Sequence, residues 1–154
     1  MIGTDSILTV LAMSDIYLYR SLCDLKRDAV IKVLRFNKMA IYGMGRRGCA
    51  LYAFFVEIGV DIQYLIDKDI KIKISNEIDI YGIDDISWDI DIIIVTPSVS
   101  EDKIIHFIES KRPSEAQTKI VTLNDFVNVL KSIPVPVYYK EVYEDYCNVS
   151  STIS

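Results

Sequence analysis

The chain is poor in the residues that build metal sites and nucleophilic centres. It has one histidine, His106, and three cysteines, Cys23, Cys49 and Cys147, among 154 residues. The cysteines are odd in number and lack metal-ligand spacing, which suits reduced thiols in the cytoplasm and predicts no metal. No Ser-His-Asp, Cys-His or metal cluster can be assembled from the remaining residues. No apolar run approaches membrane-spanning length. The opening residues carry a short apolar patch but no basic stretch before it, so they make a poor signal peptide. An excess of basic charge is missing too. Lysine and arginine total 17 against 22 acids, a formal net charge of −5 with a pI near 4.9. That balance argues against a nucleic-acid partner. Asn148-Val149-Ser150 matches the glycosylation pattern, but without a secretion signal it reads as chance.

What is present is a globular composition, 51% hydrophobic and 25% charged, in a chain long enough for one domain with a real core. Its organising stretch is MAIYGMGRRGCALYAFFVEIGVDIQYLID, residues 39 to 67. It consists of a short apolar run, a glycine-punctuated turn, an apolar helix, a second short apolar run and an acid. Gly43, Gly45 and Gly48 fill the glycine positions of G-x-G-x-x-G, directly after a predicted strand and at the mouth of a predicted helix. The first glycine allows a tight turn and the second lets backbone approach a diphosphate. The third lets the helix pack closely on the strand. The helix N-terminus then presents unpaired N–H groups and a partial positive charge. This is the pattern of a nucleotide-binding βαβ unit.

Residues 1–11 read as a loose lead-in. From Ser14 to Arg35 the pattern is helical, with Ile16, Tyr19, Leu22, Ala29, Val33 and Leu34 near one face and Ser14 or Asp15 as its cap. A helix ahead of the first strand either packs on the sheet or supplies a subunit interface. Strands are expected at Met39–Tyr42, Ile62–Ile66, Ile78–Tyr81, Ile90–Val95 and Lys119–Thr122, with a weak edge strand at Lys71–Ile74. Helices are expected at Arg46–Ile58, closed by Gly59, and from Ser98 to Lys111, opened by a Ser98–Glu101 capping box. A turn of helix falls near Asp84–Ser87, and a last helix runs from Asn124 or Asp125 to Lys131. The helix after the glycine turn is apolar nearly all round, so a second layer or subunit must cover it. Pro134 and Pro136 confine Ile133–Val137 to an extended edge or arm, and the tail from Cys147 frays. The fold class is α/β, three layers, with a five-stranded mainly parallel sheet of order 3-2-1-4-5. Residues 1–37 form the lead-in and extra helix, 38–132 the nucleotide-binding domain, and 133–154 the arm and tail.

Candidate ligand contacts follow from position. Arg46 and Arg47 stand in the first helical turn, where cations oppose the helix dipole unless an anion is present, and either guanidinium can clasp a phosphate. Met44 belongs to the same loop. Asp67 closes the second strand, where an acid accepts hydrogen bonds from an adenosine ribose. It arrives eight residues after Gly59, one later than the usual spacing, and alternation along a strand could turn it away. Thr96, Pro97 and Ser98 follow the fourth strand beside the switch point, where hydroxyls can face a ligand or serve the turn. The Tyr64-x-x-x-Lys68 spacing lies on a strand rather than on a catalytic helix. The Asp67-Lys68-Asp69 and Asp89-Ile90-Asp91 triplets are common in an acidic chain. His106 reads as a helix-surface residue, and Cys49 as a small packing residue despite its place near a helix N-terminus.

Taken together, residues 41 to 67, YGIDDI, DIIIVTPS and KIVTLNDF resemble small Rossmann-like domains of bacterial capsule and surface-polysaccharide proteins. These are the nucleotide-sugar epimerase-like domains with a CoA-binding-type fold and the N-terminal domain of PglD-type sugar acyltransferases. The LID ending at the later spacing is closer to these than to dehydrogenases. The similarity covers Lys38 to Leu130, about three-fifths of the chain. It implies NAD or NADP, or alternatively CoA or a UDP-sugar, over Gly43, Gly45, Gly48 and Asp67. It carries over no active site, because the acyltransferase relatives keep their histidine in a hexapeptide-repeat β-helix and the dehydratase relatives use a second domain. The expected function is a nucleotide-binding module accessory to glycan biosynthesis, working as a homodimer or beside an enzyme partner. The alternatives are a small NAD(P)-dependent oxidoreductase or sugar-nucleotide enzyme with its site between subunits, and an interaction domain without ligand.

Overall fold

The computed structural model describes residues 4–69 and 78–132. The strands are β1 (Met39–Tyr42), β2 (Tyr64–Ile66), β3 (Ile92–Val95) and β4 (Lys119–Thr122). The helices are α1 (Thr4–Met13), α2 (Ile16–Cys23), α3 (Arg27–Leu34), α4 (Arg46–Glu57), α5 (Glu101–Lys111) and α6 (Leu123–Ser132), with a 3₁₀ turn at Ile83–Asp85. The sheet is parallel throughout, in the order β2-β1-β3-β4. The chain therefore moves outward from β1 to β2, then crosses back to β3 and β4, leaving a switch point between β1 and β3.

The fold class expected from the sequence is the one observed, with four strands among the described residues where five were expected. The segment expected as a third strand, Ile78–Tyr81, forms no named strand among the described residues; Tyr81 makes a parallel bridge with Ile66. Tyr81 donates its N–H to Leu65 and accepts from Asp67 N–H, but Gly82 then leads into the 3₁₀ turn. The Lys71–Ile74 edge strand, the Pro134–Pro136 arm and the tail lie outside the described residues.

Side chains alternate across the sheet and build two cores. Met39, Ile41, Leu65 and Ile94 face one side, where they join residues of α1–α4 and α6. Ala40, Tyr42, Ile66, Ile93 and Val95 face the other, against Ile108 of α5 and Ile83. The strands are apolar on both faces because both are covered. Helix α4 ends in a Schellman motif, as its glycine foretells. Gly59 takes φ +75, Gly59 N–H bonds to Val56 O and Val60 N–H to Phe55 O.

The N-terminal region departs from expectation. Residues 4–13 are a helix, not a loose lead-in, and Leu11 is only 3% exposed. The expected single helix from Ser14 to Arg35 is two, broken at Asp24–Lys26. Leu22 and Ala29, seven residues apart, are both buried, so one helix and an interrupted pair leave the same periodic pattern. Asp15 caps α2 through Leu18 N–H, as expected. Within the chain this region packs chiefly on a helix rather than directly on the sheet. Helices α1 and α2 pack on α4, forming an extra layer outside it. That layer supplies the cover which an all-round apolar helix required. Leu22→Ala should therefore cost ~2–5 kcal/mol, the range for emptying a packed leucine site. Urea unfolding measures it, and an unchanged midpoint would show that the extra layer contributes little.

Candidate functional site

The turn between β1 and α4 is built by three glycines with three different surroundings. Gly43 takes φ +98, and a Cβ there would lie 2.6 Å from Pro97 Cδ and 2.8 Å from Thr96 Oγ1. A Cβ on Gly48 would lie 1.9 Å from the Gly43 carbonyl oxygen. These two positions are thus fixed by the protein's own packing: the turn against the β3 loop, and the helix against the turn. Gly45 is different. It is exposed, its backbone at φ −76 and ψ −157 is open to any residue, and a Cβ would meet nothing within 4 Å among the described residues.

Met44, between the first two glycines, is held on three sides. Its side chain is 2% exposed and joins the α4-side core, so it points beneath the turn rather than over it. Its N–H donates to Asp67 Oδ2 at 2.8 Å. Its carbonyl lies 3.4 Å from Cys49 Sγ, which donates to it. The other Asp67 oxygen accepts from Asp69 N–H at 3.0 Å. Asp67 is therefore directed at the turn's backbone and is 9% exposed.

Thr96 also turns inward. Its hydroxyl donates to the Gly43 carbonyl oxygen, with the Tyr42 carbonyl oxygen at 3.2 Å. Pro97 packs on Gly43, while Ser98 is exposed. The expected Ser98–Glu101 capping box does not form. Helix α5 begins at Glu101, so Ser98 stands too far ahead. The N-cap is Ser100, in the left-handed region at φ 59, with no side-chain cap bond.

Helix α4 likewise has no side-chain cap. The amides of Gly45, Arg46, Arg47 and Gly48 find no acceptor among the described residues, as the first turn of a helix dictates. Arg46 is exposed. Arg47 is half-buried, and its Nη2 donates to Asn124 Oδ1 at 3.1 Å. The two helix heads flanking the switch point differ in sign, since α4 carries Arg46 and Arg47 while α5 carries Glu101 and Asp102. Among the described residues no group of three His, Cys, Asp or Glu side chains is placed to hold a metal ion, and no helix is long and apolar enough to cross a membrane.

The candidate residues Gly43, Met44, Gly45, Arg46, Arg47, Gly48, Asp67, Thr96 and Pro97 thus meet at the carboxyl ends of β1, β2 and β3, with Ser98 at the rim. Asn124 was recognised from sequence only as the start of a helix. The switch-point rule does not reach it, because β4 is the edge strand beyond β3.

The sheet order and the glycine turn define the class as a Rossmann-like α/β domain. No protein-family model matches the chain, and no curated protein matches it. Among solved structures the chain is similar to the crystal structure of shikimate dehydrogenase 1 from Peptoclostridium difficile, at 17% identity and a TM-score of 0.39. The match covers 83% of this chain and 55% of that one, so the chain spans about half the length of that neighbour.

Two outcomes follow from this geometry. Gly48→Ala should destabilise by at least ~1–3 kcal/mol, because the clash is with backbone that cannot move aside. Gly45→Ala should stay within ~0.5 kcal/mol of wild type. Thermal unfolding of both variants checks the contrast. The second outcome concerns pH. Burial first, and then the Asp67 charge, push the Cys49 thiol and the Tyr42 phenol up from their ordinary values. The unfolded chain then loses these protons at lower pH than the folded one, so stability is full below the unfolded pKa values and falls as pH rises past them. The melting temperature should fall above about pH 8.5, the ordinary thiol value. In Cys49→Ala the onset should move toward the phenol range near pH ~10.

Proposed function

We propose that the chain is a nucleotide-binding module that takes the diphosphate of its ligand at the head of α4. The observation that carries this reading is Gly45. The fold accounts for Gly43 and Gly48 by contact, yet nothing among the described residues requires a missing side chain at Gly45. An open surface over a glycine, at a ring of unpaired amides, suits a ligand whose phosphates come within hydrogen-bond distance of backbone. Arg46 and Arg47 add positive charge at a helix end where charge of that sign is otherwise unfavourable, and a bound anion offsets it.

The opposite sign at the α5 head sets the ligand's orientation. Its phosphates lie on the α4 side, and the part that donates hydrogen bonds, a sugar or a cationic ring, faces Ser98, Glu101 and Asp102. NAD, NADP, CoA and UDP-sugars all meet this description. Asp67, with lone pairs left beyond its two backbone bonds, remains the candidate for a ribose hydroxyl. Residues 38–132 constitute the binding unit, and the N-terminal helices support it by packing on α4. The resemblance of residues 41–67 to surface-polysaccharide proteins supports placing the module in glycan assembly, beside an enzyme partner or as a homodimer.

A thermal-shift screen over NAD, NADP, CoA and UDP-sugars tests the proposal. A true ligand at 100 times its Kd adds ~2.7 kcal/mol of stability. Gly45→Val should abolish that shift while leaving the unliganded melting temperature nearly unchanged. Silence from every compound, or an undiminished shift in the variant, would defeat the reading.

A further inference from the structure

We propose that Asn124 is a positioning residue for the anion site, holding the Arg47 guanidinium in place for a phosphate before any ligand arrives; this rests on the nucleotide-binding reading above. Arg47 belongs to the first turn of α4, and Asn124 to the first turn of α6, which follows β4 across the sheet. Their side chains meet at 3.1 Å and so tie the two helix heads together. The anchor is well founded. Leu123 beside it is 1% exposed, and the Thr122 hydroxyl accepts from Asp125 N–H at 3.1 Å, fixing the start of α6. Arg46, the neighbouring cation, has no such partner among the described residues.

The choice of side chain matters. A guanidinium has five N–H donors, and Asn124 takes one, leaving enough for a two-point clasp of a phosphate. An amide oxygen orders the arginine without neutralising it. A carboxylate in its place would pair with Arg47 and compete with the ligand. Ordering a long side chain in the free protein removes part of the entropic cost of binding. Because Asn124 follows β4 and Asp67 follows β2, Arg47 serves the phosphate on the side of the turn away from Asp67.

Calorimetric titration of the full chain with NADP and with inorganic pyrophosphate tests this. Arg47→Ala should weaken both by ~10–100-fold, the range for a lost charged hydrogen bond. Asn124→Ala should weaken both by ~3–10-fold through lost ordering. The double variant should bind no more weakly than Arg47→Ala alone, since Asn124 acts only through the arginine. Asn124→Asp, equal in shape, should bind more weakly than Asn124→Ala, and keeps the test open should the alanine variant fold poorly. Wild-type affinity in Asn124→Ala, or a loss that adds in full to that of Arg47→Ala, would overturn the assignment. Should wild type bind and Gly45→Val not, while the Arg47 and Asn124 variants match wild type, the nucleotide reading stands and this one falls. Should wild type take up neither probe, both fall.

Discussion

Everything at the carboxyl edge of this sheet depends on one close approach: the carbonyl of Gly43 against the backbone of Gly48. No side chain fits between the turn and the helix it starts, so α4 is seated directly on the end of β1. That seat aims the helix axis, and with it the free amides of the first turn, at the space above the switch point. Several contacts keep the turn in this shape. Asp67 holds the Met44 amide, Thr96 holds the Gly43 carbonyl, and Pro97 closes on Gly43 from the β3 side. Asp67 comes from the end of β2, and Thr96 and Pro97 from the end of β3, so the turn is clamped by the two strands that flank β1.

The same seating explains the burden on the rest of the chain. A helix set this close to the sheet, apolar on nearly every side, cannot face water on its outer surface. Helices α1 and α2 cover it, and Phe126 of α6 packs edge-on against Phe55 from the side, with ring centroids 6.1 Å apart. The amino-terminal helices are thus tied to the site through α4. Covering α4 in this way fixes the helix whose head offers the amides.

Much of this was legible in the residues. Met39–Tyr42 and Lys119–Thr122 have the strand limits that their apolar runs and flanking signals indicate, and Gly59 marks the end of α4 because only a left-handed residue closes a Schellman motif easily. The glycine spacing located the turn. What stayed hidden was set by tertiary contact. The break between α2 and α3 lies at Asp24–Lys26 with neither glycine nor proline to announce it, and Leu22 and Ala29 keep their period across it. Ser98 carries the right residues for a cap, but the bend through Ser100 displaces the helix start. The direction of the Asp67 carboxylate depends on which face the last residue of β2 presents, and the one-residue delay in its spacing left that undetermined. Asn124 could be seen as a helix start, but its hold on Arg47 required knowing that α4 and α6 begin side by side.

The central claim is that unpaired amides at the head of α4 receive a diphosphate. Recording the backbone amide resonances of the isotopically labelled protein while inorganic pyrophosphate is added tests it most directly. The largest shifts should fall on Gly45, Arg46, Arg47 and Gly48, with the Met44 amide, already bonded to Asp67, moving less. Shifts scattered over surface lysines, or none at these four amides, would contradict it.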